Sequence, residues 1–145
     1  MQNLAISDTG AIIHEFSSQY HHESRCSNLL LRDPSLVWFT SVTEQLPQYV
    51  IFKLKSEAEI YKVGIYLHGE NNQNPKRIEI LVSENGKDFI SIIESELEHR
   101  AGDFLFKLDK PINGSFVKFL ITENFGGSGI YISKCFVFGK LIEKI

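Results

Sequence analysis

The 145-residue sequence predicts an all-β domain, a sandwich or barrel of about seven or eight short strands. Three observations point there. Apolar residues recur at every second position through most of the chain, and Gly, Pro, Asn and Asp punctuate these runs at short intervals. No stretch carries apolar residues at helical spacing for long enough to bury a helix face. With 43% hydrophobic and 23% charged residues, the chain has the composition of a folded domain with one core.

The elements follow in order. From Gln48 to Lys55, Val50, Phe52 and Leu54 share one face against Tyr49, Ile51 and Lys53, as a strand with one buried side requires. Ile60 to His68 repeats the pattern with Tyr61, Val63, Ile65 and Leu67 inward. Arg77 to Ser83 does so through Ile78, Ile80 and Val82; Asn85-Gly86 then predicts a tight hairpin into a return strand, Lys87 to Ile93, because such turns need positive φ. Phe104, Phe106 and Leu108 alternate in the next strand, Pro111 to Gly114 reads as a turn, and Val117, Phe119 and Ile121 face one way after it. The last strand runs from Ile130 to Phe138 after the glycine-rich Gly126-Gly127-Ser128-Gly129, and ends at Gly139. Glu94 to Ala101 fits either a strand edge or a short helical turn. The domain is expected over residues 1–139, with the tail Lys140 to Ile145 either extending the last strand or docking elsewhere. Phe16 to Pro47 is long and irregular, and loops of that kind in compact domains usually carry function.

Composition excludes several functions. A net charge of −3 lacks the basic excess that phosphate-backbone binding needs, so no nucleic-acid partner is expected. Apolar runs such as Leu29-Leu30-Leu31 fall far short of a bilayer span, and Met1-Gln2-Asn3-Leu4 does not open a secretory signal; the expectation is an intracellular protein without membrane insertion. Cys26 and Cys135 are then expected as free thiols, and no Cys/His cluster has the spacing of a zinc site. Adjacent side chains in His21-His22-Glu23 point apart on an extended segment, leaving a solvated loop rather than a metal site. Glu94, Glu96 and Glu98 read as a solvent-facing edge, not a hydrolytic carboxylate pair, and neither cysteine has a neighbouring His. The Gly126 to Gly129 run leads into a strand, without the helix N-terminus of a phosphate cradle. Asn113-Gly114-Ser115 reads as a turn and Trp38 as core. The chain is expected not to be an enzyme, and no cofactor is expected.

Several segments together resemble a known family. Ser27-Asn28-Leu29-Leu30, then Trp38-Phe39-Thr40-Ser41, then Pro47-Gln48-Tyr49-Val50 leading a strand are similar to the opening of the discoidin, or coagulation-factor type C, domains of the galactose-binding-like class. Ile60 to Tyr66, the hairpin Lys76 to Phe89, Phe116 to Ile121 and the ending Ile130 to Gly139 resemble its later strands in the same order. The resemblance implies an eight-stranded antiparallel jelly-roll β-sandwich. It also implies, for the intracellular subgroup without end-bridging cysteines, a docking module of the kind found in intraflagellar-transport, anaphase-promoting, muskelin and ciliary-tip proteins, and hence a cytoplasmic, ciliary or centrosomal setting.

Two further expectations rest on that resemblance. Many members hold calcium beside the first long loop, but the matching positions here are Leu31-Arg32 and Lys134, and an ammonium repels the ion; no calcium is expected, and a salt bridge from Lys134 to Asp33 could take its place. Asp33 is otherwise an Asp-Pro turn. Family ligands meet loops at one end of the sandwich, which here carry Tyr20, His22, Phe39, His68, Asn71, Asn72 and Phe125. Two functions compete. The first is a non-catalytic protein-interaction subunit of a multi-subunit complex, with exposed Phe39 and Phe125 as its anchors. The alternative is a lectin-like module that takes a glycan or small ligand with His68, Asn71 and an aromatic platform; a concave pocket with converging polar groups distinguishes it from a flat apolar patch.

Overall fold

The computed structural model describes residues 1–142. Its strands are β1 (Gln2–Asn3), β2 (Ile12–Phe16), β3 (Trp38–Phe39), β4 (Gln48–Leu67), β5 (Pro75–Ser83), β6 (Ile90–Glu96), β7 (Gly102–Asn124), β8 (Tyr131–Ile132) and β9 (Lys134–Leu141), every pairing antiparallel. Short 3₁₀ turns occupy Ser7–Thr9, His22–Ser24 and Cys26–Leu30. Among the described residues no helix is long and apolar enough to cross a membrane.

The expected sandwich is present, but two of its strands are longer than the sequence pattern implies. The predicted strands 48–55 and 60–68 are one 20-residue strand, and the predicted turn Pro111 to Gly114 lies inside a 23-residue strand. Ile112, Asn113 and Gly114 pair with Ile60, Glu59 and Ala58, so Pro111 does not end the strand. The proline is absorbed in an irregularity: pairing passes from Lys62–Lys107 directly to Ile60–Ile112, and Leu108 to Pro111 lie off the ladder. A matching shift between Lys53 and Ala58 places the second irregularity on β4.

These irregularities let one ribbon serve two layers. Its first part, Gln48–Lys53 against Phe116–Ile121, takes β2 on one side and β5, then β6, on the other. Its second part, Ala58–Leu67 against Gly102–Gly114, takes β9, then β1. Val50, Phe52, Ile78, Ile80, Val117, Phe119 and Ile121 from the first layer meet Val63, Ile65, Leu67, Phe104, Cys135 and Val137 from the second in one core. Phe52 and Phe119 cross edge to face at 5.6 Å, and burial of each such side chain is worth about 1.5–3 kcal/mol.

Local differences have local causes. Tyr61 does not point into the core: the shift between Ile60 and Lys62 gives that place to Ile60, and the Tyr61 hydroxyl donates to Glu59. The turn at Asn85-Gly86 is no two-residue hairpin, since the first pair beyond it is Val82–Ile90. Only Gly86 has positive φ there, at 83°, while the Ser83 hydroxyl and the Asn85 side chain accept the loop's amides. Glu94 and Glu96 stand exposed on β6, the outermost strand. The expected last strand is interrupted at Ser133, dividing β8 from β9. Of the predicted tail, Lys140 and Leu141 extend β9 and the Ile142 amide donates to the Glu57 carbonyl at 2.8 Å; Glu143 to Ile145 lie outside the described residues.

Trp38 is fully buried, and its indole N–H donates to the Ser18 carbonyl at 2.8 Å. Cys26 and Cys135 are both free and buried. Burial pushes both thiols up, Cys135 further through the field of Cys26 and with a small opposing effect from Lys134. A thiol whose folded-state pKa is raised contributes its stability in full below about pH 8.5, the unfolded value, and loses it as pH climbs toward the folded value. Urea denaturation of the wild type, relative to Cys26→Ala and Cys135→Ala, therefore loses about 1.4 kcal/mol per pH unit per removed thiol above about pH 8.5. Equal pH slopes in parent and variants would contradict this. Gly64 tests the ribbon itself, since a Cβ there would lie 2.1 Å from the Phe104 carbonyl oxygen across β4 and β7. Gly64→Ala is expected to destabilise by about 3 kcal/mol or more in the same assay.

Candidate functional site

At the end of the ribbon, the chain leaving Leu67 forms a polar loop to Asn74 that faces β8. Asn74, 1% exposed, donates its side-chain amide to the Gly69 carbonyl at 3.0 Å and its backbone amide to the Asn71 carbonyl at 3.1 Å. Asn71 Oδ1 accepts the Gln73 amide at 2.8 Å, the local bond that makes Asn a turn residue. From β8 the Tyr131 amide donates to the Gln73 carbonyl at 3.0 Å, and from the break after it the Ser133 amide donates to the Tyr66 carbonyl at 3.1 Å. Loop and strand are thus tied at both ends of the gap between them.

That gap is a cleft of about 290 Å³. Leu67, Val37 and Ile132 give it an apolar lining; His68, Asn71 and Asn74 bring polar groups, and Tyr131 brings an aromatic ring. His68 is exposed, and its imidazole makes no hydrogen bond among the described residues. The Asn71 Nδ2 is likewise unengaged among them, since only its Oδ1 and carbonyl are used. The Ser133 hydroxyl donates to the Pro34 carbonyl and the Ser35 hydroxyl to Asp33, so neither is available to His68 as a nucleophile. No Asp, Glu or Cys lines the cleft.

The remaining loop residues divide around it. Phe39 is 9% exposed, stacked on Tyr131 at 4.5 Å and met edge-on by Tyr20 at 5.3 Å. It is a packing residue, not an exposed anchor, because the loops of Tyr20 and Tyr131 cover it from both sides. Tyr20 is 46% exposed and stands behind this stack, with His21 against its ring at 4.0 Å. His22 lies exposed in a 3₁₀ turn, its carbonyl accepting from Arg25, and does not line the cleft. Phe125 is half-buried, lying flat on His99 at 4.1 Å. The Asn72 side chain is exposed, and its carbonyl accepts the amides of Phe125 and Gly127, which pins the glycine-rich loop to the polar loop. Of the seven loop residues expected from the sequence, His68 and Asn71 share the cleft. Tyr131, Asn74 and Ser133 went unrecognised; Tyr131 was readable as the outward member between buried Ile130 and Ile132.

On the far side of β8, Asn28 is 1% exposed and donates to the carbonyls of Glu23 and Val37 at 2.8 and 2.9 Å. Lys134, 6% exposed, reaches the Asn28 carbonyl with Nζ at 3.5 Å, and burial lowers its pKa against a smaller opposing field from Asp33. The expected salt bridge to Asp33 is not formed. Asp33 instead accepts the Ser35 hydroxyl and amide at 2.7 and 2.9 Å, bonds that hold its carboxyl below the usual range. A neutral carbonyl facing an ammonium is the wrong donor set for a calcium ion, which requires several carboxylate or carbonyl oxygens.

Solved structures support the architecture. One carbohydrate-binding module of a Clostridium perfringens protein, in complex with GalNAc-β-1,3-galactose, is 24% identical over 94% of this chain and 99% of its own, with a TM-score of 0.79. The family 32 module of NanJ from the same organism, in complex with galactose, is 20% identical over 93% and 96%, with a TM-score of 0.80. The C-terminal domain of a Bacteroides fragilis chitobiase is 18% identical over 98% and 100%, with a TM-score of 0.82. These likenesses establish the fold. No curated protein sequence matches the chain. Residues 14–135 match the F5/8 type C domain, and the chain belongs to that family.

Proposed function

We propose that the chain is a non-catalytic carbohydrate-binding module whose ligand, a galactose-type sugar residue, seats in the cleft between the Leu67 to Asn74 loop and β8. The observation that carries this reading is the concave union of an aromatic ring, Tyr131, with the free imidazole of His68 and the free amide of Asn71. A sugar presents an apolar face of C–H bonds and a rim of hydroxyls, so it needs both kinds of group converging on one place. The sugars bound by two similar Clostridium perfringens modules support the same ligand class.

The interaction-subunit reading loses its anchors, because Phe39 is packed between Tyr20 and Tyr131 and Phe125 lies against His99. No carboxylate pair stands in the cleft, which argues for binding without glycoside hydrolysis. Glu94 is exposed on β6 and pairs with Arg77.

A glycan array followed by calorimetric titration with galactose tests the proposal. Binding of a monosaccharide is expected with Kd on the order of 1 mM, tighter for oligosaccharides, as its few heavy atoms allow. His68→Ala and Tyr131→Ala are each expected to weaken it by about tenfold or more, while circular dichroism stays that of the parent. Failure of every arrayed glycan, or parental affinity in both variants, would overturn it.

A further inference from the structure

We propose that a second cleft, on the outer face of the layer containing β9, binds a small monoanionic carboxylate with an apolar body, its head group received by Lys134. This cleft has a volume of about 430 Å³ and lies between the segments carrying Ile6 and Leu31 to Pro34 and the outer face of β4 and β9. Strand register builds it: Tyr66 pairs with Lys134, and Phe136, two residues on, faces the same side. Cys135 and Val137 between and beyond them turn into the core.

The cation is the distinguishing feature. Lys134 lines the cleft yet is only 6% exposed, so most of its hydration is gone. Its one hydrogen bond among the described residues is the 3.5 Å contact with the Asn28 carbonyl, and it takes part in none of their ion pairs. An ammonium has three protons to place, and a buried one without an anion is costly. The carboxylates in the neighbourhood do not pair with it: Asp33 is held by Ser35, Asp8 pairs with Arg32, and Asp103, exposed at the cleft wall, forms no ion pair with Lys134. With Arg32 taken up by Asp8, Lys134 is the lining cation outside the ion pairs of the described residues, and a single ammonium suits a monoanion better than a phosphate dianion. Leu31, Pro34, Tyr66 and Phe136 supply the apolar surface for the body of the ligand.

This cleft shares no residue with the proposed sugar cleft, so the two can fail separately. The test is a two-dimensional amide NMR titration of the whole chain at neutral pH with sodium phenylacetate. Saturable shifts are expected at the amides of Leu31, Tyr66, Lys134 and Phe136, with Kd on the order of 1 mM. Acetate, which lacks the ring, and 2-phenylethanol, which lacks the charge, are expected to bind about tenfold more weakly or worse. Lys134→Gln is expected to lose about tenfold or more. Leu31→Asp, at a side chain exposed enough to leave folding intact, places a repelling charge at the wall and loses the same; it decides the matter if Lys134→Gln does not fold. Galactose should leave the phenylacetate shifts unchanged. No saturation by about 20 mM, equal binding of 2-phenylethanol, or parental affinity in the folded variants would overturn the proposal.

Discussion

The pairing of β4 with β7 is the constraint on which the rest of the molecule depends. One long antiparallel ribbon supplies two central strands to each layer, and its irregularities at Lys53–Ala58 and Ile60–Lys62 turn it from one layer into the other. All the other pairings of the main sheet except β1 on β9 and β6 on β5 are made directly to this ribbon. Close approach across it is part of the design: at Gly64 the opposing Phe104 carbonyl leaves no room for a Cβ. A mixed register anywhere along the ribbon would exchange core and surface residues on both strands at once.

The ribbon also determines where binding groups can stand. Its end at Leu67 releases the polar loop beside β8, and the side chains and carbonyls of Asn71, Asn74 and Gln73 tie that loop into a single arrangement. A ligand entering there meets a loop whose Asn71 and Asn74 side chains are already tied, which lowers the ordering cost that weak sugar contacts would otherwise have to offset. On the other face, the break at Ser133 starts β9 with Lys134 on the outer side, Asn3 clamps β1 to that strand through the Cys135 carbonyl and the Val137 amide, and a charged cleft results. One cleft thus opens at the end of the ribbon without Asp, Glu, Lys or Arg in its lining, and another on the outer face of β9 is lined by a buried lysine.

Much of this was legible in the sequence. The alternation of Val50, Phe52 and Leu54, of Ile78, Ile80 and Val82, and of Val117, Phe119 and Ile121 identified inward faces correctly, because period-two burial depends only on neighbours along the chain. The continuity of β4 and β7 was not legible: Pro111 and Asn113-Gly114 have turn chemistry, and the strand resumes past the proline only because Ile112, Asn113 and Gly114 pair with the distant Ile60, Glu59 and Ala58. The length of the loop after Ser83 escaped for a similar reason, since an Asn-Gly pair signals a turn without stating where the ladder resumes. In the site, the polar loop of His68 and Asn71 was reached through the family resemblance, which implies ligands at the loops of one end of the sandwich. The covering of Phe39 was not, because it depends on Tyr20 and Tyr131 arriving from segments far apart in the chain. Lys134 was recognised as a departure from a calcium-binding pattern, while its lack of a carboxylate partner could be read only in three dimensions.

The central claim is that the concave gap between the Leu67 to Asn74 loop and β8 is where this domain meets a sugar. The most direct measurement is a crystal structure of the whole chain soaked in galactose or a galactose-terminated disaccharide. The account predicts a pyranose ring with one face on Tyr131 and hydroxyls within hydrogen-bond distance of His68 and Asn71. A sugar ordered on any other surface, with this cleft holding only water at saturating concentration, would contradict it.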